Sequence, residues 1–244
     1  MLKGEMVTKK FGGLEAVKNV DFYVDKKEIV SLIGPNGAGK TTLFNLISGL
    51  YYPDAGTIEF EGKNIVGLKP HSICRLGIAR TYQIVKPFLK MTTLENVLVG
   101  VFYGKGKSIN MTDAHQEALH WLEFIGMSEK KNVLAQTLTL ADRKALEIAR
   151  SLATEPELIL LDEVIAGLNP AETSRAMDLI QKIWKELKIG VFWVEHVMKA
   201  VMGISHRVLV LDFGEKIAEG SPEEITENKK VIKAYLGAAY AKRR

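Results

Sequence analysis

Gly34-Pro35-Asn36-Gly37-Ala38-Gly39-Lys40-Thr41 follows the largely apolar run Glu28-Ile29-Val30-Ser31-Leu32-Ile33 and leads into Thr41 to Leu50, which has helical spacing. The pattern G-x-x-x-x-G-K-[ST] between a strand and a helix is that of a phosphate-binding loop. Glycines 34, 37 and 39 let successive backbone N–H groups turn inward, and the start of the helix adds positive partial charge for phosphate oxygens. Lys40 is then expected at the β- and γ-phosphates, the Thr41 hydroxyl on Mg²⁺, and Thr42 in one more hydrogen bond to phosphate. The whole segment, with Pro35, Asn36 and Ala38 among its members, is the expected phosphate-binding loop.

A second run, Leu158-Ile159-Leu160-Leu161-Asp162-Glu163, reads as a buried strand that delivers adjacent carboxylates at its C-terminal end, where open α/β sheets bind ligands. Adjacent positions in an extended chain point to different sides, so Asp162 is expected to hold Mg²⁺ and Glu163 to act on the attacking water as general base. By itself a carboxylate pair after an apolar run reads equally well as a surface turn, but coupled to a phosphate loop it completes a nucleotide site.

Outward from these two runs, Val20 to Val24 and Gly56 to Gly62 alternate apolar and polar residues as half-buried antiparallel strands do. From about Met91 to Ala135 helix is favoured: Thr92-Thr93-Leu94-Glu95 offers a capping threonine, Ala114 to Phe124 has helical spacing, and Lys105 to Ser108 is a polar break. Ala145 to Ala153 reads as helix, Ala171 to Leu187 as helix, Gly190 to Glu195 as a buried strand, and Arg207 to Asp212 with Glu215 to Glu219 as a hairpin. Pro222 to Tyr235 closes the chain as a helical region. Alternating strands and helices of this kind predict an α/β fold with a parallel sheet.

Composition narrows the classes. With 244 residues, 47% hydrophobic and 25% charged, the chain has ordinary globular usage, which excludes disordered, collagenous and disulfide-rich proteins. Its apolar runs fall far short of the roughly 20 residues that cross a bilayer, and Met1 to Glu5 lacks a secretory h-region, so a cytoplasmic location is expected. The lone Cys74 makes no internal disulfide, and His71 beside it reads as unrelated rather than as a zinc pair. A net charge of +4, much of it in Lys242-Arg243-Arg244, implies no nucleic-acid partner.

The order of these motifs, from Phe11 to about Leu236, resembles the nucleotide-binding domain of ABC transporters. That resemblance implies a P-loop NTPase (RecA-like) core with an N-terminal antiparallel β subdomain and a helical subdomain. The expected division is 1–86 with 142–222 for the β subdomain and core, 87–141 for the helical part, and 223–244 for a C-terminal helix and basic tail. It also implies roles. Phe11 matches the aromatic position that stacks on adenine, and Gln83 in Arg80-Thr81-Tyr82-Gln83 matches the glutamine that senses Mg²⁺ and water. Ala166-Gly167-Leu168-Asn169-Pro170 looks like the loop that crosses to the opposite subunit, and His196 matches the histidine that contacts γ-phosphate. Within the family, these stretches with Met91 to Leu98 and Leu146 to Arg150 look like the ATPases of branched-chain amino-acid importers; lipopolysaccharide-export ATPases are the similar rival.

One motif departs. The family signature Leu-Ser-Gly-Gly-Gln aligns with Leu138-Thr139-Leu140-Ala141-Asp142, which keeps the leucine and a hydroxyl but puts a methyl and a negative charge where a partner's γ-phosphate is capped. Thr139 can still donate a hydrogen bond. Val164 and Val197 replace a proline and an acid of the family pattern. Because a subunit's phosphate loop and its signature serve different sites of a head-to-tail dimer, pairing with a second, different ATPase whose regular signature completes the site around Lys40 and Glu163 is expected, besides transmembrane permease subunits and, indirectly, a substrate-binding protein. The alternatives to a transport ATPase are an ATP-binding regulatory subunit with weak hydrolysis and a DNA-maintenance clamp. The intact Glu163 and His196 weigh against the former, and the lack of a long heptad insertion against the latter.

Overall fold

The computed structural model describes residues 1–104 and 108–236. In chain order the elements are β1 (Leu2–Phe11), β2 (Leu14–Val24), β3 (Ile29–Ile33), α1 (Lys40–Ile47), β4 (Ala55–Phe60), β5 (Lys63–Asn64), α2 (Pro70–Leu76), β6 (Ile78–Arg80), α3 (Thr93–Tyr103) and α4 (Met111–Phe124). There follow α5 (Leu140–Leu152), β7 (Leu158–Asp162), α6 (Pro170–Lys182), β8 (Gly190–Val194), α7 (Met198–Ile204), β9 (Arg207–Asp212), β10 (Glu215–Gly220), α8 (Pro222–Glu227) and α9 (Lys229–Leu236). The chain divides into two compact units: Met1–Pro70 with the segment from Gly190 onward, and His71–Ile189.

The first unit holds an antiparallel sheet in the order β2-β1-β4-β5 and a second set of strands in the order β10-β9-β3-β8. In the latter, β3 runs parallel to both β8 and β9, and β10 returns antiparallel to β9. Every residue of β3 and of β8 is buried, which is what a parallel strand covered on both faces requires. Phe192 of β8 packs between Phe22 and Phe44, with ring centroids 6.2 and 5.0 Å away, so it joins the strand to α1. The hairpin turn Phe213-Gly214 falls where the turn glycine predicts it.

In the second unit β6 lies parallel to the fully buried β7. Thr92 caps α3 in a reciprocal box with Glu95, as its sequence predicts, and Asn169 does the same for α6 with Glu172 and Pro170 at the first helical position. Other stretches differ from the sequence reading. α5 begins at Leu140, so Thr139 is its N-cap and Asp142 lies in its first turn. α6 gives way at Ile183–Leu187 to one π-helical turn closed by the left-handed Lys188. The C-terminal helical region is split at Asn228, whose side chain accepts from the Lys230 N–H at 2.9 Å and starts α9 afresh. The expected break at Lys105 to Ser108 and the basic tail fall largely or wholly outside the described residues. Among the described residues no helix is long and apolar enough to cross a membrane.

Candidate functional site

The phosphate loop is moulded by its neighbours in the first unit. Gly34 (φ +152°) and Gly39 (φ +101°) have backbone angles that side chains resist, and a Cβ on either would overlap a carbonyl, that of Leu211 for Gly34 and that of Ala16 for Gly39. The β9–β10 turn reaches the same loop, Gly214 N–H donating to Ala38 O at 3.1 Å and Lys18 N–H to Gly214 O at 2.8 Å. α1 opens at Gly39 with no side chain capping its amides and no acid in its first turn, which leaves its end suited to an anion. Lys40 is buried against this loop, its Nζ donating to Gly34 O (2.7 Å) and Pro35 O (2.9 Å), so its ammonium stands at the loop's centre. Thr41 is exposed and Thr42 half-buried beside it. N–H donors, a central ammonium and absent acids fit a polyphosphate.

Phe11, at the end of β1, is exposed and meets Tyr51 edge-on at 5.3 Å, with Lys9 Nζ 5.6 Å from its ring. That leaves a ring open to a planar base. His196 is exposed just past β8, and its own N–H donates to the buried Glu195 carboxylate at 3.1 Å.

In the second unit the strand end of β7 delivers its carboxylates to different partners. Asp162 is buried in an ion pair with Arg80 at 3.0 Å, on the neighbouring strand β6, and that guanidinium also lies over the Tyr82 ring at 5.0 Å. Glu163 turns outward, its Oε2 accepting from Gln83 Nε2 at 2.8 Å. The structure thus brings together Gln83 and Glu163, two of the residues expected to be catalytic. Asp162, Thr41 and the Gln83 amide oxygen are hard oxygen donors of the sort that Mg²⁺ takes.

A carboxyl that the sequence reading passed over sits beneath this pair. Glu147 of α5 is buried, accepts the Tyr82 N–H at 3.2 Å, and has Arg150 at 4.0 Å. Burial pushes its pKa up to about 7 with help from Asp162, against the opposing pull of the Tyr82 amide, Arg150 and Lys144. Between its ordinary value of 4.5 and about 7 the folded chain therefore keeps a proton that the unfolded chain releases. The stability that goes with this proton is fully present below the lower value and is lost as pH rises through the upper one. Glu147→Gln keeps an acceptor for Tyr82 and removes the titration. In urea unfolding from pH 5 to 8 the variant is expected to gain on the parent by about 2–3 kcal/mol; parallel curves would refute this.

At the altered signature Thr139 caps α5, its hydroxyl accepting from the Asp142 N–H at 3.2 Å and donating to the Asp142 carboxylate at 2.9 Å. The charge expected to trouble a neighbouring phosphate is matched: Lys130 Nζ lies 2.7 Å from Asp142 Oδ1. Partial burial works against ionisation of Asp142, but the hydrogen bonds from Lys130 and Thr139 outweigh it and hold the carboxyl below its usual range.

Residues 17–166 match the ABC transporter family. The chain belongs to that family. Residues 215–241 of this ABC ATPase also match the C-terminal family described as branched-chain amino acid ATP-binding cassette transporter. It is 44% identical to the high-affinity branched-chain amino acid transport ATP-binding protein BraF of Pseudomonas aeruginosa, over 96% of each chain. It is 46% identical to LivG of Escherichia coli K12, a protein of the same description, over 94% of this chain and 95% of LivG. An ATP-binding cassette of an ABC transporter crystallised in its ADP conformation superposes with a TM-score of 0.87 at 31% identity, covering 97% of this chain and 98% of the other. The ABC ATPase is thus a P-loop nucleotide-binding and ATP-hydrolysing protein of α/β fold.

Arg80, Lys130, Lys144 and Glu147 are the site residues that sequence reasoning missed. For the two on α5 a signal exists: Lys144 and Glu147, three apart, interrupt the buried face that Leu146, Ile148 and Leu152 otherwise make apolar. Arg80 and Lys130 carry no such mark.

Proposed function

We propose that this ABC ATPase powers the uptake of branched-chain or other hydrophobic amino acids, docked on the inner face of the cell membrane against transmembrane permease subunits. The observation that carries the substrate class is the end-to-end similarity to BraF and LivG, joined by the C-terminal match over residues 215–241, which favours import over the lipopolysaccharide-export rival. A substrate-binding protein would deliver the amino acid on the far side of the membrane.

In this reading Lys40 and the loop Gly34 to Thr42 bind the β- and γ-phosphates, Phe11 stacks on adenine, and His196 contacts the γ-phosphate. Thr41, Gln83 and Asp162 hold Mg²⁺, which when bound neutralises phosphate charge. Glu163 takes a proton from the attacking water, and its hydrogen bond with Gln83 keeps the carboxylate oriented for that role. Thr139 serves the site of a second ATPase, and that partner's signature serves the loop around Lys40. The helical part, 87–141, is proposed as a subdomain of its own.

The test is reconstitution. The chain, a candidate partner ATPase and the permease pair in liposomes are expected to take up leucine only with ATP on the ATPase side and the binding protein on the other. ATP turnover that never moves an amino acid would overturn the importer reading.

A further inference from the structure

Lys144 is buried on α5, and its ammonium donates to two main-chain carbonyls of the segment after β7: Glu163 O at 2.8 Å and Ala166 O at 2.7 Å. A lysine with so little access to water is costly unless its donors are satisfied, and here two of its bonds go to one turn. Glu163 O also accepts the Ala166 N–H at 3.2 Å, so the same oxygen closes the turn from inside and is held from outside.

The turn is one that an ordinary residue resists. Glu163 has φ +50°, in the left-handed region where a Cβ crowds the backbone, and residues persist there when surrounding contacts fix them. The ammonium on the Glu163 carbonyl is such a contact. The carbonyl so held and the side chain that meets Gln83 belong to the same residue. Lys144 stands five residues into the helix that Thr139 caps, about 7.5 Å along a rigid rod. One side chain thus ties the signature helix to the backbone of the general base and to Ala166, in the loop that crosses to the opposite subunit in ABC transporters.

We propose that Lys144 is a positioning residue for ATP hydrolysis: it holds the Glu163 backbone in its left-handed turn and carries displacements of the signature helix to the catalytic carboxylate. It acts through Glu163 and does not touch nucleotide. The inference rests on the reading of Glu163 as general base, so the experiment separates the two.

In the reconstituted transporter, Lys144→Met, Lys144→Arg and Glu163→Gln are compared for kcat, KM for ATP and melting temperature. Lys144→Met is expected to lose ten-fold or more in kcat with KM changed less than two-fold, and Lys144→Arg, whose guanidinium still reaches carbonyls, to recover at least half of that loss on a logarithmic scale. A Lys144→Met kcat within two-fold of the parent, beside an inactive Glu163→Gln, overturns the proposal and leaves the base intact. A kcat loss matched by an equal rise in KM and not recovered by arginine also overturns it, because that is general damage. A Glu163→Gln protein that turns over normally removes the base and the proposal with it. Should the methionine variant fail to fold, Lys144→Leu, which likewise lacks a donor, is held to the same kcat and KM criteria.

Discussion

Glu163→Gln is expected to lower ATP turnover by about 10²–10⁴-fold while nucleotide binding survives. Glutamine has the size of glutamate and its carbonyl oxygen can still accept from Gln83 Nε2, which lies 2.8 Å from the carboxylate. What is lost is the ability to take a proton. The left-handed backbone at this position is kept, since either side chain meets the same strain. Steady-state phosphate release together with binding of a fluorescent ATP analogue checks both halves. Turnover within ten-fold of the parent would mean that some other group accepts the proton.

The second large effect is structural. Arg80→Met is expected to cost about 3–5 kcal/mol of stability, because it withdraws a cation from a carboxylate that is almost wholly buried. Methionine fills much of the arginine stem's volume, so the loss reports the charge pair more than a cavity. Urea denaturation measures it, and for a chain of this length the melting point falls by roughly 10 °C. Adding Asp162→Asn to Arg80→Met should return part of the loss, since the buried charge goes too; strictly additive costs would show that the pair is uncoupled.

How far the fold could be read depended on how strongly each segment's pattern was imposed. β3, β7 and β8 are buried on both faces, so their sequences are near-continuous apolar runs that resist another reading. β1 escaped notice because Gly4 and the left-handed Met6 break its alternation, and its register shifts between Gly4 and Val7. α2 and α7, of seven residues each, are too short for a helical period to show. At the site the same logic holds. Lys40 and Glu163 belong to local motifs whose spacing is dictated by the chemistry. The Arg80–Asp162 pair joins positions 82 apart, and only the placing of β6 beside β7 makes it. Asp142 alone looked like a misplaced charge at the signature, and what changes that judgement is Lys130, twelve residues earlier and not on the same helix.

The clasp between the β9–β10 turn and the phosphate loop sets a timetable for biosynthesis. Gly34 fits against the Leu211 carbonyl and Ala38 is bonded by Gly214, while β3, which leads into the loop, lies between β8 and β9. A ribosome making about 5–20 residues per second releases the loop's own sequence well before those late strands, by something like ten to thirty seconds. Until they arrive, the nascent polypeptide has the letters of a nucleotide site without its mould. Nucleotide is therefore expected to stabilise only chains in which β3 already lies between β8 and β9.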